Sequence, residues 1–420
     1  MGALCGYFGL LWALGGDRSW GKLGVSPLEP SFADLRNVTS AWDCTRRGIA
    51  VLPVNPCDFD DRPANYPRLW LLPYHLGLGE GDTFALGLVV GGMFLAAAVA
   101  VLPRRASWFA TATYAIVLCS PAAMLGVERG NVDLLLFALV VLAVLVYRRS
   151  LRGLVVADGL ILLAACLKLF PIFALAFSVF YRQRRARVGV VAVAGCFVAY
   201  LFAIQGQLHQ IRDALPQQDI YSYGVRRLSQ WLSAGMEGAR ATRASLPAWD
   251  VLLLFVSALG GVLGARRLRA RLTDASRGAP DARDRDLFWT GACVYVGTYA
   301  LARNYDYRLV FCLLTVPQLC RWASGGARLA WVSIGALIAT MWLDGFFSWF
   351  LGSWLDDWST FTAVGANARV LPLAVIAQFI LCFTLVCLLL ATAPRPARPQ
   401  LARVGRRVRD AGLPGAARLD

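Results

Sequence analysis

Apolar runs about the length of a bilayer crossing alternate along this chain with short polar or basic connections. A membrane-spanning helix needs about 20 apolar residues. Runs approaching that length lie at 83–103, 107–125, 134–147, 188–204, 250–265, 287–301, 309–320, 327–351 and 370–391. Residues 2–16 form a shorter first run, read as a span and not as a cleaved signal, because they lack a basic start and a small-residue cleavage site. The stretch 153–181 is divided by Lys168, with Pro171 close behind, into two short apolar pieces. Between the first runs lies a polar segment, 17–82, rich in Pro, Asp, Asn and Arg. Within it, Phe32 to Trp42 has the apolar-polar pattern of a surface helix, and Arg68–Leu78, with Pro73 inside, reads as an interfacial or re-entrant piece. Residues 205–249 read as a second polar loop.

An alternating count gives about 12 spans and sorts the basic clusters at 104–105, 148–152, 182–187, 266–271, 321–328 and 395–409 onto one side. That side is expected to be cytoplasmic, and with it the Pro- and Arg-rich tail 394–420, read as disordered. The predicted architecture is an all-α polytopic membrane domain over 1–393, with 17–82 as a long first extracytoplasmic loop. Gly87-x-x-x-Gly91 and Gly260-x-x-x-Gly264 are spacings that let helices pack closely.

Composition agrees with this picture: 58% of the 420 residues are hydrophobic. The net charge of +16 sits beside the apolar runs, as the positive-inside rule requires, and no groove-reading motif accompanies it, so nucleic acid is not an expected partner. With two histidines and no C-x-x-C pair, a structural metal site is not expected. Cys44 and Cys57 both fall in the first polar loop, where a bridge fits an oxidising compartment. Asn37-Val38-Thr39 matches the glycosylation sequon, a weak signal at three residues.

The candidate chemistry is on the outward side. Arg129, Lys168, Arg303 and Arg308 are placed at outward ends of spans, in tight connections where positive charge is not favoured. Each could pair locally, Arg129 with Glu128 or Asp133 and Arg308 with Asp306. Together they suit a phosphate held at headgroup depth. Asn131 can cap the helix that follows it, and Asp133 is favoured by that helix's dipole. The first loop supplies Asp34, Asp43, Asp58, Asp60 and Asp61 as carboxylates for a general base towards a hydroxyl. Asp34, in the Phe32–Trp42 stretch, is the best placed, whereas Asp58, Asp60 and Asp61 lie in a Pro-rich turn read as solvated. A divalent metal could be held by these carboxylates, but nothing in the sequence requires one.

Glu128-Arg-Gly-Asn131-Val-Asp133-Leu-Leu, followed by a basic turn and Leu-Lys168-Leu-Phe-Pro171, resembles the membrane glycosyltransferases of the GT-C superfold. It is most similar to the family 87 type, which includes polyprenol-phosphate-mannose-dependent mannosyltransferases. Asn131 and Asp133 match the family's turn, Lys168 and Pro171 its K-x-x-P, and Phe32-Ala-Asp34 with Gly48 and Pro56 its first-loop pattern. Gly130-Asn131 stands where many members have Gly-Gln. The resemblance implies that Asp34 is the catalytic base and that Arg129, Asn131, Asp133, Lys168, Arg303 and Arg308 bind substrate. The implied reaction is inverting transfer of a mannose-like hexose from a polyprenyl-phosphate donor to a glycan or lipid acceptor, at the outer face of a bacterial inner membrane. No cofactor is implied. The alternative from the residues is a transporter or flippase of a lipid-linked or anionic solute, which broken spans and mid-chain charges would suit.

Overall fold

The computed structural model describes residues 2–102, 107–147, 150–179, 184–214, 222–237, 246–275, 282–301, 304–345 and 371–393. Among these the fold is all-α, apart from one two-residue antiparallel pair, β1 (Ser222–Tyr223) and β2 (Asn304–Tyr305). The expected outer loop 352–368, the basic tail 394–420 and Arg303 lie outside the described residues.

The first helix, α1 (Gly2–Ala13), leads into a 3-10 turn and then to α2 (Ala33–Arg46), the helix foreseen on the membrane surface. Arg68–Leu76 is a 3-10 helix containing Pro73, which suits a segment that lies along the protein without crossing a bilayer. Helix α3 (Thr83–Val101) follows. It is apolar all round: Gly87, Val90, Phe94, Ala97, Ala98 and Val101 face the protein, whereas Phe84, Leu88, Val89 and Met93 are exposed. That division is what a helix wedged between protein and lipid shows.

The next apolar run does not form one rod. It breaks at Cys119–Ser120 into α4 (Trp108–Leu118) and α5 (Pro121–Arg129), bent by 50°. Ser120 accepts from the Ala123 amide and Pro121 opens the new helix, so the sequence builds a fresh N-terminus there. Helix α5 carries Glu128 and Arg129 inside its last turn and ends on Gly130 in the left-handed region (φ +58°).

Helix α6 (Asp133–Val146) is the centre of the bundle. Leu134, Leu136, Phe137, Val140 and Val141 are almost wholly buried, and an aromatic chain runs Phe94–Phe137–Phe311–Phe170 with ring centroids 5.3–5.6 Å apart. Helix α7 (Leu151–Leu167) ends at Lys168, whose extended backbone stops the helix, and a 3-10 helix, Phe170–Leu175, takes over at Pro171. Then come α8 (Ala176–Val179) and α9 (Arg184–Ala203).

The segment 205–249, expected as a loop, is largely helical where described. It holds α10 (Gln205–Ala214) and α11 (Val225–Glu237), whose one apolar edge, Val225 and Leu228, is buried. Helix α12 (Leu246–Ala275) extends the expected apolar run into its basic flank. Helix α13 (Ala282–Leu301), a 3-10 stretch Asp306–Thr315, α14 (Val316–Ser324), α15 (Arg328–Gly345) and a final helix Leu371–Thr392 complete the bundle. Gly260 and Gly264 do meet the final helix, at Phe383 and Cys387, as their spacing suggested. Gly91 faces open space, and Gly87 accommodates a ring and not a helix backbone. By length and apolar composition, three described helices can cross a membrane, Glu80–Val101, Arg185–Ala203 and Pro372–Thr392, or four with the bent pair α4–α5. Several shorter apolar helices, α6 among them, lie below that length.

Candidate active site

The first polar loop is cross-linked by the Cys44–Cys57 disulfide, the bridge suggested by the placement of those two cysteines. Behind it, Asn37 is buried and donates to Asp58 and to the carbonyls of Arg62 and Pro63. It is therefore a structural strut, and the sequon it belongs to presents no accessible amide. Asp58 is not a solvated turn residue. Its side chain is fully buried and takes Arg62 on both oxygens, at 2.9 and 3.0 Å. Asp43 accepts from the Glu80 amide at 2.9 Å, while Asp60 and Asp61 are exposed.

Asp34 is different from these. It opens α2 in the first turn and remains 18% exposed. The residue two before it, Phe32, adopts a left-handed backbone (φ 58°), strained for a bulky side chain by about 1–3 kcal/mol. Packing holds it there: Phe32 fits between Gly87 of α3 and Gly130 of the α5–α6 turn. A Cβ on Gly87 would fall 2.4 Å from the ring, and one on Gly130 would fall 3.0 Å from the Phe32 Cβ. The fold thus presses the start of α2 onto the turn that carries Asn131. Gly87→Ala is expected to shift Phe32 and with it Asp34, lowering both activity and melting temperature, with overpacking costing roughly 1–3 kcal/mol. Parallel activity and melting measurements on purified protein check this.

Asn131 joins two halves of the cluster. Its Nδ2 donates to Asp34 Oδ2 at 2.6 Å, while its Oδ1 accepts from the Asp133 amide at 2.9 Å. The second bond is the capping role expected of it; the first was not legible from spacing. Asp133, with no side-chain exposure, sits at the start of α6. Its two oxygens face Lys168 Nζ at 2.6 Å and Arg308 Nε at 3.2 Å. Arg308 therefore pairs with Asp133, and not with Asp306 as its neighbourhood in sequence suggested; it also donates to Asn304 Oδ1 and lies 4.4 Å over the Phe170 ring. The Lys168 ammonium lies 5.2 Å from the Tyr66 ring and 5.5 Å from the Tyr307 ring, with 16% of its side chain exposed. Trp70 ties the first loop to the same helix end, its Nε1 donating to the Leu167 carbonyl at 2.8 Å.

Arg62 completes the rim. Nη2 donates to the Ala33 carbonyl at 2.6 Å, and Nη1 lies 3.7 Å from Asp34 Oδ1. Burial first, and then the negative charge of Asp34, push the Tyr66 phenol well above its usual range, so it stays a neutral donor beside the carboxylate.

Asp34, Asn131, Asp133, Lys168 and Arg308 thus come together, although the chain separates them widely. Arg129 does not join them. Its Nη2 donates to the Ser26 carbonyl at 3.0 Å and its Nε pairs with Glu128, whose Oε1 accepts from the Leu28 amide at 2.9 Å. These two residues clip the strap that leads into Phe32 and Asp34. Arg62, Asn304, Tyr66 and Tyr307 are additions that the sequence pattern did not single out as site residues. Among the described residues no three His, Cys, Asp or Glu side chains converge as a cation site would need.

The arrangement pairs a partly exposed carboxylate from a surface loop with two cations fixed at broken helix ends. Set in an all-α protein with apolar helices of bilayer length, it defines a membrane protein with a charged site at the ends of its helices. The model of glycosyltransferase family 87 matches residues 69–280, half of the chain. The protein belongs to glycosyltransferase family 87 and is a membrane glycosyltransferase. The matched stretch contains Asn131, Asp133 and Lys168, with Asp34 before it and Arg308 after it. No curated protein and no solved structure matches the chain.

Proposed function

We propose that the protein transfers a hexose, mannose-like, from a polyprenyl-phosphate donor to a hydroxyl of a glycan or lipid acceptor, with inversion at the anomeric carbon. The observation that carries this reading is the side chain of Asn131, which joins Asp34 on one side to the Asp133–Lys168–Arg308 set on the other. A base and a phosphate cradle so joined can flank one reacting carbon.

In this scheme the acceptor oxygen attacks the anomeric carbon as its proton passes to Asp34. The bond from that carbon to the donor phosphate breaks, and polyprenyl phosphate leaves. Lys168 and Arg308 hold the departing negative charge; Asp133 aligns both cations and, with Asp34 near, keeps the empty cradle from being strongly positive. Lys168 has one short bond, to Asp133, and an ammonium has three donors, so it retains capacity for a phosphate oxygen. The scheme calls for no metal or other cofactor. Arg303 stands as a further phosphate ligand, and Arg129 supports the strap that leads to Asp34.

The membrane setting follows the same reading. On this reading the chain crosses the membrane about 12 times, with 17–82 as an extracytoplasmic loop over the site and 394–420 as a cytoplasmic tail. The domain 1–393 sits in a bacterial inner membrane, where a lipid-linked donor presents its phosphate at headgroup depth.

The test is product analysis with purified protein in lipid, given a panel of polyprenyl-phosphate sugars and, separately, nucleotide sugars. A glycosylated product from the lipid-linked donor alone is expected, with release of polyprenyl phosphate. Movement of the intact donor across vesicles without bond cleavage would establish the transporter reading instead.

A further inference from the structure

The turn that carries Arg308 is held from behind by buried ionisable residues that touch no reacting atom in the scheme above. Arg227, on α11, places Nη1 2.5 Å and Nη2 3.3 Å from the two oxygens of Asp344, in the last turn of α15. Both residues are 7% exposed. The carboxyl of Asp306, which belongs to the turn itself and is 3% exposed, is close enough to interact electrostatically with both Asp344 and Arg227. The Arg227 guanidinium also donates to the Ser222 carbonyl.

From there the contacts run forward to the site. Ser222 pairs with Tyr305 and Tyr223 with Asn304 across β1 and β2. The Tyr223 hydroxyl meets Thr298 Oγ1 at 2.8 Å, and Asn304 Nδ2 donates to the Thr298 carbonyl at 2.6 Å. The remaining end of the Asn304 amide accepts from Arg308. Each link fixes the next, from α15 through α11 and the strand pair to the guanidinium beside Asp133.

A buried ion pair adds little net stability over apolar residues of the same volume, because desolvating two charges offsets their attraction. What it adds is direction: a bidentate guanidinium–carboxylate pair fixes the mutual orientation of the elements that carry it. Here those elements are two helices and the carbonyl of a strand that pairs with the Arg308 turn. The family match covers Arg227 and ends at residue 280, before Asp306, Arg308 and Asp344.

We infer that Arg227 and Asp344 are positioning residues for the transfer reaction, setting the Asn304–Arg308 turn and thereby the guanidinium that receives the donor phosphate. The inference rests on the phosphate-binding reading of Arg308. It assigns the ion pair to the donor side of the site, because the contacts that lead from it run through the strand pair and Asn304 to Arg308.

The test compares Arg227→Lys, Asp344→Asn and the charge-exchanged double variant with wild type. Donor KM, acceptor KM and melting temperature are measured, together with the melting shift produced by polyprenyl phosphate alone. Donor KM is expected to rise on the order of tenfold in each single variant, within the loss that misplacing a group by about an ångström can produce. Acceptor KM is expected to stay unchanged, and the exchanged double variant to recover part of the loss. Asn304→Ala cuts the relay downstream of the ion pair and is expected to reproduce the donor-side effect even if the charge variants fold poorly. Lower melting temperature with unchanged donor KM, or donor and acceptor KM rising together, would overturn the inference. If wild type transfers no sugar, the functional reading fails on that result alone. The polyprenyl-phosphate shift then decides the inference separately: its loss in Arg227→Lys supports it, and its retention contradicts it.

Discussion

Asp34→Asn is expected to reduce sugar transfer by about 100- to 10,000-fold, the range a positioned general base contributes. The substitution keeps the shape of the side chain, and an amide oxygen at this position can still accept from Asn131 Nδ2, which now lies 2.6 Å from Asp34 Oδ2. What is lost is the capacity to take the acceptor's proton as the new bond forms. Donor binding is expected to change little, because Lys168 and Arg308 are held by Asp133 and not by Asp34. Initial rates over a range of donor concentrations, together with donor binding to the same preparation, check this. A variant that transfers at the wild-type rate would remove Asp34 from the reaction. Asp58→Asn is not an equivalent change: that carboxylate is buried on Arg62, and its loss should appear first as a lower melting temperature.

Lys168→Ala is the second large effect, expected at roughly 100- to 1000-fold in kcat/KM, the scale of removing one fixed group that stabilises developing charge. The ammonium sits between Tyr66 and Tyr307 with Asp133 on a third side, so its position is set before any ligand arrives. Stability is expected to fall by less than the roughly 3–5 kcal/mol that accompanies a buried charge left without any partner, because Arg308 still faces Asp133. Lys168→Arg should recover only part of the activity, since a planar guanidinium does not fill the space of a compact ammonium between two rings. Steady-state kinetics with varied donor, and melting curves for both variants, separate these contributions.

The parts of this site that the sequence disclosed are those whose cost in a membrane is hard to explain otherwise. Lys168 interrupts an apolar stretch ahead of Pro171, and Asp133 begins one; both stand out from composition alone, and both proved to be partners of each other. Asn131 was legible as a cap because its position before a helix is a local matter. Its bond to Asp34 was not, since nothing local links residues so far apart in the chain; Asp34 stood above its neighbours through its place in a surface helix, and the family resemblance raised it further.

Arg129 shows the opposite case. A cation at an outward helix end has the right charge for a phosphate, yet the strap 24–30 packs close enough to offer it the Ser26 carbonyl. The choice between the two roles depends on tertiary packing, which spacing does not carry. Arg62 and Asn304 were missed for a related reason: Arg62 lies in a Pro-rich turn read as solvated and Asn304 in a tight connection whose arginines drew the reading. Each is held by a residue four positions away, Asp58 for one and Arg308 for the other. The glycine spacing at 87–91 suggested helix packing, and the structure instead shows one glycine making room for the Phe32 ring. Segment 205–249 looked like a loop because short, strongly polar helices resemble loops in composition.

The central claim is that a base from the first loop and a cation from the end of α7 act on one reacting centre. A double-mutant cycle on Asp34→Asn and Lys168→Ala, read as single-turnover transfer from a polyprenyl-phosphate sugar, tests it most directly. Residues that act as a unit are strongly non-additive. The double variant is therefore expected to be little slower than the slower single variant. Losses that multiply across the two substitutions would contradict it, placing Asp34 and Lys168 in independent sites.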